Sequence, residues 1–429
     1  MDNKAESIDV LVISSKYFPE YSGSGHRAQS LYRRLKSKFD INYQVICNSV
    51  EFRHRDEYKV DGIDVRRIVT GFRRYSDFIS TRDDPMAPGK TFLQRIKSAI
   101  SIYIEAFNAY RVLRSLKYDV VHIFGRSPST TMAIRWCRKK RIPFIVELVN
   151  RNQIPYQYLP GTRMFDNYRF DTRCVLVAIS KELQEVCESY GEVDNVWVRP
   201  NPIDKKKYHH STYLERSEAI SDMTPFEAKH KIVTYIANFR PQKNHIFMLD
   251  VIENLPEEFK LILGGPLVSG GTFGAQSRSL VDKIRREIKA RKLSGRVDLK
   301  VGFLDMSEYL KCTDVFCFPA RNEALGTPMI ESLAAGVPVI ANVSERSFNQ
   351  WIQHEKNGFL CPLKDTTWAE FIERAMLIEE TQRVIFSQNI TKIADNEVID
   401  RSYFSLLQHL KIANRYDKIN VSKVLNQSC

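Results

Sequence analysis

Long apolar runs are missing from this 429-residue chain, and none approaches the roughly 18 apolar residues that a membrane-spanning helix requires. The first residues also lack the basic and then apolar pattern of a secretory signal, so we expect a cytoplasmic protein. No two of the eight cysteines form a Cys-x-x-Cys pair, and several, such as Cys317, lie in short apolar runs that predict buried reduced thiols. If this protein works at a membrane, it works from the surface.

Charge of one sign dominates the composition: 64 lysines and arginines stand against 51 aspartates and glutamates, a formal net charge of +13. Such a charge favours an acidic partner, which could be nucleotide phosphates, an anionic membrane surface or nucleic acid, or it serves solubility alone. The cations are dispersed and no nucleic-acid-binding module is recognisable. We therefore expect no nucleic-acid partner.

Strand-like and helix-like segments alternate along both halves of the chain, which is typical of α/β domains with parallel sheets. The alternation pauses near Asn201-Pro202, a turn signal followed by a polar stretch up to residue 230, and it restarts at residue 232. The chain is long enough for at least two domains. We predict one domain over residues 1–203 and a second over residues 204–398.

The most informative segment begins with an apolar run, Val315–Phe318, which predicts a buried strand. Gly326 then allows a sharp turn. Thr327 is a suitable helix N-cap, Pro328 suits the first helical position, and the predicted helix ends at Gly336. The start of such a helix offers unpaired backbone N–H groups and the positive end of the helix dipole, so it can hold a phosphate.

Two glutamates flank this turn. Glu323 precedes it, at the mouth of the predicted phosphate site, and Glu331 follows in the second turn of the helix. A carboxylate at Glu331 can accept hydrogen bonds from hydroxyl groups such as those of a ribose. The spacing alone would fit a solvated helix face, but the turn, the cap and the flanking strands together favour a binding site.

A basic loop follows the predicted strand at residues 232–237, and it carries Arg240 and Lys243 on a turn that Pro241 stiffens. Ligands of open α/β sheets bind at the carboxyl ends of strands. Two cations there suit a diphosphate, with Arg240 able to chelate oxygens and Lys243 acting as a point charge. A solvated basic loop is the equal alternative.

The pattern from Glu323 to Glu331, with Gly-Thr-Pro inside it and Ala-Ala-Gly-Val-Pro-Val-Ile behind it, resembles the donor-site signature of family-4 retaining glycosyltransferases. The resemblance covers most of the chain. It implies the GT-B architecture, an α/β fold of two facing Rossmann-like domains with parallel sheets and the donor site in the cleft between them. It also implies that residues 399–429 form a helix that packs back on the N-terminal domain, followed by a tail.

Two further segments carry the resemblance, one of them with a departure. The family segment Gly-Arg-x-x-x-x-Lys places its lysine at Lys243, but its arginine position holds Asn238, and Arg240 lies two positions later. The resemblance therefore leaves open whether Arg240 reaches the same phosphate. The stretch Val301–Asp305 resembles the segment whose backbone holds the edge of the nucleobase, which implies that Leu304 binds the donor.

A glycine-rich segment, Gly23-Ser24-Gly25-His26-Arg27-Ala28, fits the dinucleotide pattern G-x-G-x-x-A. The first predicted strand ends about nine residues earlier, whereas a dinucleotide turn follows its strand directly. The resemblance implies a first loop whose backbone approaches the donor phosphate, with Gly23 and Gly25 as donor-binding residues. A flexible loop is the alternative.

The predicted acceptor half departs from the family. The stretch from Asp119 to Arg126 resembles Asp-Val-Val-His-x-His, but Phe124 replaces the second histidine, so no catalytic histidine is carried over. His122 is either a packed strand residue or, with Arg126, an acceptor-side residue of the cleft. Other polar residues at strand ends are candidates for lining the cleft: Glu147, Asn150 and Arg151.

The resemblance implies transfer of a sugar from a nucleotide-diphosphate donor with retention at the anomeric carbon. The helix start at Thr327, Lys243, Arg240 and the Gly25 loop would stabilise the charge of the leaving diphosphate. That makes a metal ion unnecessary, no Asp-x-Asp pair stands at a strand end, and we expect no cofactor. Glu323 would be the catalytic carboxylate, contacting the donor sugar or supporting an oxocarbenium-like charge.

Uridine diphosphate is the commonest donor nucleotide of the family, so a UDP-sugar is expected. The expected acceptor is a saccharide or a lipid-linked saccharide in surface polysaccharide or glycoconjugate synthesis. The alternative is a catalytically impaired sugar-nucleotide-binding protein of the same fold, because Asn238 and Phe124 both depart from the family. A phosphorylase with pyridoxal phosphate would be much longer and would need a Schiff-base lysine, which no segment suggests.

A second hypothesis concerns a membrane surface. A long loop, Gly71–Lys90, contains four apolar side chains that could enter a lipid interface: Phe72, Tyr75, Phe78 and Ile79. Cations of the N-terminal half could rest on anionic lipid: Arg53, Arg66, Arg67, Arg73, Arg74 and Arg82. The protein would then be peripheral at the inner face of the membrane, and a soluble charged loop is the alternative.

Overall fold

The computed structural model describes residues 7–18, 22–49, 57–69, 92–125, 127–149, 173–189, 194–268, 271–413 and 419–426. The chain divides into two compact units, Met1–Arg199 with Glu397–Cys429, and Pro200–Asn396. The boundaries predicted between residues 203 and 204 and between residues 398 and 399 lie next to these divisions. Each unit contains one sheet, and the two units are described separately.

The sheet of the first unit has eight strands among the described residues, in the order β3-β4-β2-β1-β5-β6-β7-β8. All neighbouring strands are parallel except β3 and β4. Its central strands are buried along their whole length, as expected for strands covered by helices on both faces. The strands are β1 Ile8–Ser14, β2 Ile41–Ser49, β3 Glu57–Val60, β4 Ile63–Val69, β5 Val120–Phe124, β6 Phe144–Leu148, β7 Cys174–Ala178 and β8 Val196–Val198. The helices are α1 Gly23–Lys38, α2 Phe92–Leu113, α3 Pro128–Lys140 and α4 Lys181–Ser189.

Strands β3 and β4 form an antiparallel hairpin that was not predicted from the sequence. Asp61 and Gly62 form its turn with φ angles of 51° and 75°. Asp-Gly is a favoured pair for a two-residue hairpin because both positions need positive φ. The hairpin places a short exposed strand at the edge of the first sheet.

The sheet of the second unit has six strands among the described residues, all parallel, in the order β11-β10-β9-β12-β13-β14. The strands are β9 Lys231–Ile236, β10 Phe259–Gly265, β11 Val297–Val301, β12 Val315–Phe318, β13 Val339–Asn342 and β14 Gly358–Cys361. The helices are α5 Tyr213–Met223, α6 Phe247–Glu253, α7 Gly271–Ala290, α8 Met306–Lys311, α9 Thr327–Ala334, α10 Asp365–Ala375 and α11 Glu380–Ala394. Short 3₁₀ turns occupy Pro241–Lys243 and Arg346–Phe348.

Helix α5 lies in the polar stretch that the sequence analysis treated as a connection. Thr212 and Glu215 form a capping box at its start, in which each side chain accepts a hydrogen bond from the backbone N–H of the other residue. This Thr-x-x-Glu signature is a sequence-level sign of a helix start. Its inner face buries Ala219 and Ile220.

The last helices return to the first unit. They are α12 Asn396–Ile412 and α13 Val421–Asn426. Residues Ile399, Tyr403 and Leu407 of α12 and Val421 of α13 are buried in one core with strands β1 and β2. The end of the chain therefore completes the core of the N-terminal unit.

The structure describes seven of the cysteines and bears on possible membrane spans. The seven cysteines among the described residues are buried free thiols. Within the described residues, no helix is both long and apolar enough to cross a bilayer.

Candidate active site

The strand order of the second unit reverses direction between β9 and β12. Strands β10 and β11 extend the sheet on one side, and β13 and β14 extend it on the other. In open α/β sheets, ligands bind at the carboxyl ends of the two strands that flank such a reversal. The predicted donor-site residues Arg240 and Lys243 follow β9, and Glu323 follows β12.

Backbone contacts fix the loop after β9. Arg240 is extended, a 3₁₀ turn follows at Pro241–Lys243, and Asn244 ends it with a φ of 57°. The hydroxyl of Tyr235 on β9 donates to the Lys243 carbonyl. This turn aims the Lys243 side chain at the end of β12.

Lys243 and Glu323 form an ion pair, in which the ammonium donates to Oε1 of the carboxylate. Both side chains are mostly buried, and the Lys243 ammonium lies 5.5 Å from the ring centre of Phe318, a cation–π contact. Burial lowers the pKa of Arg240, and the charge of Glu323 opposes this shift. The structure thus brings together three of the predicted donor-site residues.

Glu345, on the loop after β13, holds the turn that presents Glu323. Its buried carboxylate accepts the N–H of Asn322 at 2.8 Å and the N–H of Glu323 at 3.0 Å. Asn322 adopts a positive φ of 59°, and the Ser347 hydroxyl donates to the Glu323 carbonyl at 2.9 Å. Glu345 was not among the site residues predicted from the sequence. Its place after a parallel strand was the signal that could have found it.

Helix α9 begins one residue earlier than predicted. Gly326 is its N-cap, with a φ of 76°, so Thr327 and Pro328 are the first and second helical residues and Thr327 is not the cap. A Cβ at Gly326 would lie 3.0 Å from ring carbons of Phe318 and Phe348, so both conformation and space favour glycine. Gly326 has no side chain with which to cap this helix start, which leaves it suited to an anion.

The Thr327 hydroxyl accepts a hydrogen bond from Nδ2 of Asn201 at 2.8 Å. Asn201 belongs to the segment that opens the second unit, and its Oδ1 is buried without a hydrogen-bond partner among the described residues. Asn201 was identified in the sequence only as part of a turn signal.

Glu331 lies on the second turn of α9 and is partly buried. Its Oε1 accepts a hydrogen bond from the Tyr208 hydroxyl at 3.0 Å. Burial raises the pKa of Glu331 to about 7, the Tyr208 hydrogen bond lowers it, and the charge of Asp305 raises it. Tyr208 was not among the predicted site residues, and no pattern in the sequence pointed to it.

Leu304 follows strand β11 and is partly buried. A Cβ at Gly264, at the end of β10, would lie 2.6 Å from a Leu304 methyl carbon. Glycine at this position therefore leaves room for the Leu304 side chain. Phe303 beside it is largely exposed. The predicted nucleobase segment thus stands at the carboxyl ends of β10 and β11.

In the first unit, helix α1 begins at Gly23, and the Ser22 hydroxyl caps it by accepting the Gly25 N–H. A Cβ at Gly25 would lie 2.6 Å from the Lys16 carbonyl oxygen, whereas a Cβ at Gly23 would meet nothing within 4 Å. Gly25 is therefore required by close packing of the loop after β1. The donor roles predicted for both glycines stay predictions.

His122 is a packed strand residue in this structure, and the acceptor-side role predicted for it stays a prediction. Its side chain has no exposed surface, Nδ1 lies 2.8 Å from the Tyr32 hydroxyl, and Nε2 lies 3.1 Å from Glu147 Oε1. Burial lowers the pKa of His122. Glu147 is equally buried and does not line a surface cleft. Arg126, Asn150 and Arg151 lie outside the described residues.

The predicted lipid contacts are only partly within the described residues. Arg67 is buried and its guanidinium lies 4.7 Å from the ring centre of Tyr58, so it is not available to lipid. Arg66 is partly exposed and pairs with Glu57 at 2.9 Å. The loop Gly71–Lys90 and Arg53 lie outside the described residues.

Two family models match the chain. "Glycosyltransferase Family 4" matches residues 21–207 and "Glycosyl transferases group 1" matches residues 217–393. Together they cover most of both units. The chain belongs to the family-4 glycosyltransferases of GT-B fold.

Among curated relatives, the chain is 22% identical over 289 residues to the UDP-Gal:alpha-D-GlcNAc-diphosphoundecaprenol alpha-1,3-galactosyltransferase of Escherichia coli. This match spans 64% of the chain and 68% of that protein. The alpha-monoglucosyldiacylglycerol synthase of Acholeplasma laidlawii is 23% identical over 58% of the chain and 64% of its own length. A GDP-Man:Man(3)GlcNAc(2)-PP-Dol alpha-1,2-mannosyltransferase of Dictyostelium discoideum is 27% identical over 35% of the chain and 31% of its own length.

Solved structures share the fold. Sucrose-phosphate synthase from Thermosynechococcus elongatus superimposes with a TM-score of 0.72 at 16% identity, covering 95% of this chain and 100% of that one. Anabaena HepE in complex with UDP and glucose gives a TM-score of 0.65 at 15% identity, covering 93% and 99%.

Proposed function

We propose that this glycosyltransferase moves a sugar from a nucleotide-diphosphate donor to an acceptor hydroxyl with retention at the anomeric carbon. The observation that carries the proposal is the meeting of Lys243, Arg240 and Glu323 where the strand order of the second sheet reverses, just ahead of the uncapped start of α9. Cations beside the positive end of a helix dipole suit a diphosphate.

Each of these groups has a role in the proposed reaction. Arg240, Lys243 and the start of α9 stabilise the negative charge that develops on the leaving diphosphate. Lys243 exchanges its bond to Glu323 for one to a phosphate oxygen when the donor binds. Glu323 is then released as the catalytic carboxylate facing the positive charge that develops on the sugar. Glu331 accepts hydrogen bonds from the ribose.

The proposed donor is a UDP-sugar. The Escherichia coli protein is named for UDP-Gal and HepE was solved with UDP, which support this choice, whereas the Dictyostelium discoideum protein is named for GDP-Man. The proposed acceptor is a saccharide or lipid-linked saccharide of surface polysaccharide or glycoconjugate synthesis. Relatives named for GlcNAc-diphosphoundecaprenol and for the synthesis of monoglucosyldiacylglycerol support this choice. We also propose that the reaction needs no metal ion, because the protein's own cations stand where the diphosphate charge would develop; activity in excess chelator tests this.

A nucleotide-binding screen followed by turnover measurements tests the proposal. Uridine diphosphate is expected to raise the unfolding temperature of the wild type. Glu323→Gln should keep this shift and lower turnover by about 100-fold or more, the size of effect seen when one transition-state electrostatic group is removed. Glu331→Ala should weaken nucleotide binding. Glu373→Gln, an exposed change on α10, is the control and should alter neither. Full turnover in both Glu323→Gln and Glu331→Ala would reject the assigned roles.

The second candidate is a sugar-nucleotide-binding protein of impaired activity. Asn238 at the family's arginine position and Phe124 in place of a histidine favour it. An active enzyme releases some nucleoside diphosphate from its donor by slow hydrolysis without acceptor. A specific thermal shift with a nucleotide sugar and no release of nucleoside diphosphate would favour the second candidate.

We further propose that the protein works in the cytoplasm at the inner face of a membrane, docked through the outer face of α2. That face consists of Ile100, Tyr103 and Phe107, which are 45%, 55% and 61% exposed and follow an i, i+3, i+7 spacing. Arg111, in the last turn of the same helix, and Arg114, just after its end, are exposed. Apolar and cationic side chains on one helix face complement an anionic lipid surface.

Co-sedimentation with anionic vesicles at low salt tests this docking surface. Phe107→Asp should abolish binding, and added salt should weaken wild-type binding. Leu377→Asp, at an exposed leucine of the second unit, is the matched control and should bind like the wild type. Equal vesicle binding by Phe107→Asp, or a concentration-dependent dimer of the wild type that this change dissolves, would overturn the proposed surface.

A further inference from the structure

Tyr208 lies in the segment that opens the second unit, outside every motif named above. The segment is fixed at Ile203, whose N–H donates to the Ala394 carbonyl and whose own carbonyl accepts the Asn396 N–H, both at 2.8 Å. A turn follows in which the Tyr208 N–H donates to the Asp204 carbonyl at 3.3 Å. Tyr208 is therefore tied to the body of the second unit and held in one place.

The Tyr208 hydroxyl donates to Oε1 of Glu331 at 3.0 Å, and both side chains are partly buried. A carboxylate has about four acceptor positions. Among the described residues, the Tyr208 hydroxyl is the one donor to the Glu331 side chain. Most of the acceptor capacity of Glu331 is thus still available to a ligand.

We propose that Tyr208 is a positioning residue for nucleotide binding, which holds the Glu331 carboxylate in one orientation and leaves its second oxygen to accept the ribose hydroxyls of a nucleoside diphosphate. The inference rests on the proposed function, which assigns the ribose to Glu331. An acceptor that is already oriented loses less side-chain freedom when the ligand arrives. Replacement of Tyr208 by phenylalanine keeps the ring and removes this one donor.

The ionisation of Glu331 supports the same role. Burial raises its pKa to about 7, the Tyr208 hydrogen bond lowers it, and the facing charge of Asp305 raises it. Asp305 is itself engaged as the N-cap of α8. An ionised carboxylate accepts at both oxygens, whereas a protonated one uses an oxygen as a donor. Loss of the Tyr208 hydroxyl therefore moves ribose binding to higher pH.

Calorimetric titration with uridine diphosphate and with its 2′,3′-dideoxy analogue tests the proposal. Tyr208→Phe should weaken binding of uridine diphosphate at pH 7 by about tenfold, the effect of losing a hydrogen bond to a charged group. It should leave the affinity for the dideoxy analogue unchanged. Tyr213→Phe, the same change at an exposed tyrosine of α5, is the matched control. An equal loss for both nucleotides, or no loss, would overturn the positioning role.

An infrared titration of Glu331, taken as the difference between the wild type and Glu331→Gln, tests the coupling without any nucleotide. The midpoint of this titration should rise by about one pH unit in Tyr208→Phe and stay unchanged in Tyr213→Phe. An unchanged midpoint in Tyr208→Phe would overturn the inference. If uridine diphosphate fails to bind the wild type, the proposed donor fails, and the infrared titration still decides the role of Tyr208.

Discussion

Two glutamates, the buried Glu147 of the first unit and the partly buried Glu331 of the second, have pKa values shifted in opposite directions. Glu147 lies on the central strand β6 of the first unit, and Glu331 lies on helix α9 of the second. Both were candidates for a ligand-facing role in the sequence. In the structure, the pKa of Glu147 falls to about 2, whereas that of Glu331 rises to about 7.

The partners of Glu147 explain its low pKa. Its Oε2 accepts from the Arg199 guanidinium at 2.7 Å, and its Oε1 accepts from the Tyr403 hydroxyl and lies 3.1 Å from His122 Nε2. Burial alone would raise the pKa, but the charge of Arg199 and these hydrogen bonds outweigh it. Arg199 also donates to the Tyr403 hydroxyl at 2.8 Å, so the network ties α12 to the end of β8.

Glu331 has no cation in its immediate surroundings that the structure describes, and its neighbours are a hydroxyl and the carboxylate of Asp305. Burial therefore dominates and favours the protonated form. The comparison teaches that burial alone does not separate a structural carboxylate from a binding one. The number of occupied acceptor positions does: described groups occupy three of the roughly four positions of Glu147, whose side chain has no exposed surface, whereas one position is occupied at Glu331.

The largest expected effect is the loss of stability when Glu147, the carboxylate with the most hydrogen-bond partners of the two, is replaced. Glu147→Gln leaves the Arg199 guanidinium buried without its counter-charge, so we expect a loss of about 3–5 kcal/mol in the free energy of unfolding. Chemical denaturation measures it. Glu57→Gln removes an exposed partner of Arg66 in the same unit and should cost about 0.5 kcal/mol or less. A loss for Glu147→Gln as small as the control would show that the network is not a structural element.

Asp400 is a second buried carboxylate of the first unit that is bound by cations. It has no exposed surface and binds Arg34 at 3.0 Å and Lys38 at 2.9 Å, which fastens α12 to α1. Because these cations remain partly exposed, Asp400→Asn should cost less than Glu147→Gln, about 2 kcal/mol in the free energy of unfolding. Asp64→Asn, at an exposed pair with Lys59, is the control and should be near neutral. If Asp400→Asn and Asp64→Asn had equal stabilities, the number of buried partners of a carboxylate would not predict its contribution to stability.

The sequence was a good guide where a residue's role depends on its place along an element. The strand ends that carry Lys243 and Glu323 were identified from apolar runs and turns, and the structure brings these residues together. It was a poor guide for Glu147, because β6 is buried on both faces and alternation cannot tell inward from outward positions.

Contacts between distant segments could not be predicted from local patterns. Tyr208 is 123 residues from Glu331 in sequence, and Glu345 is 22 residues from the Glu323 N–H that it accepts. Such contacts depend on tertiary packing rather than on spacing. The Asp61-Gly62 turn and the Thr212–Glu215 capping box were legible local signals that the sequence analysis passed over.

The smallest expected effect is a change in stability when Glu331 is replaced, and here the replacement should stabilise the protein. Its folded pKa of about 7 lies above the ordinary value of 4.5, so the folded protein holds a proton that the unfolded chain has released. The stabilising contribution is complete below pH 4.5 and is lost as the pH rises through 7. At pH 8, Glu331→Gln should therefore raise the free energy of unfolding by about 1 kcal/mol, because it removes a buried charge and keeps an acceptor for Tyr208.

The same pH series separates the two glutamates. Glu147, with its folded pKa of about 2, contributes stability that is present above pH 4.5 and is lost as the pH falls through 2. The stability difference between wild type and Glu147→Gln should thus shrink at low pH, whereas that between Glu331→Gln and wild type should appear only as the pH rises towards 8. Denaturation curves at about pH 2, 4, 6 and 8 span both transitions and measure both differences. A destabilised Glu331→Gln at pH 8 would mean that Glu331 is a structural carboxylate like Glu147, and its proposed ribose role would lose its physical basis.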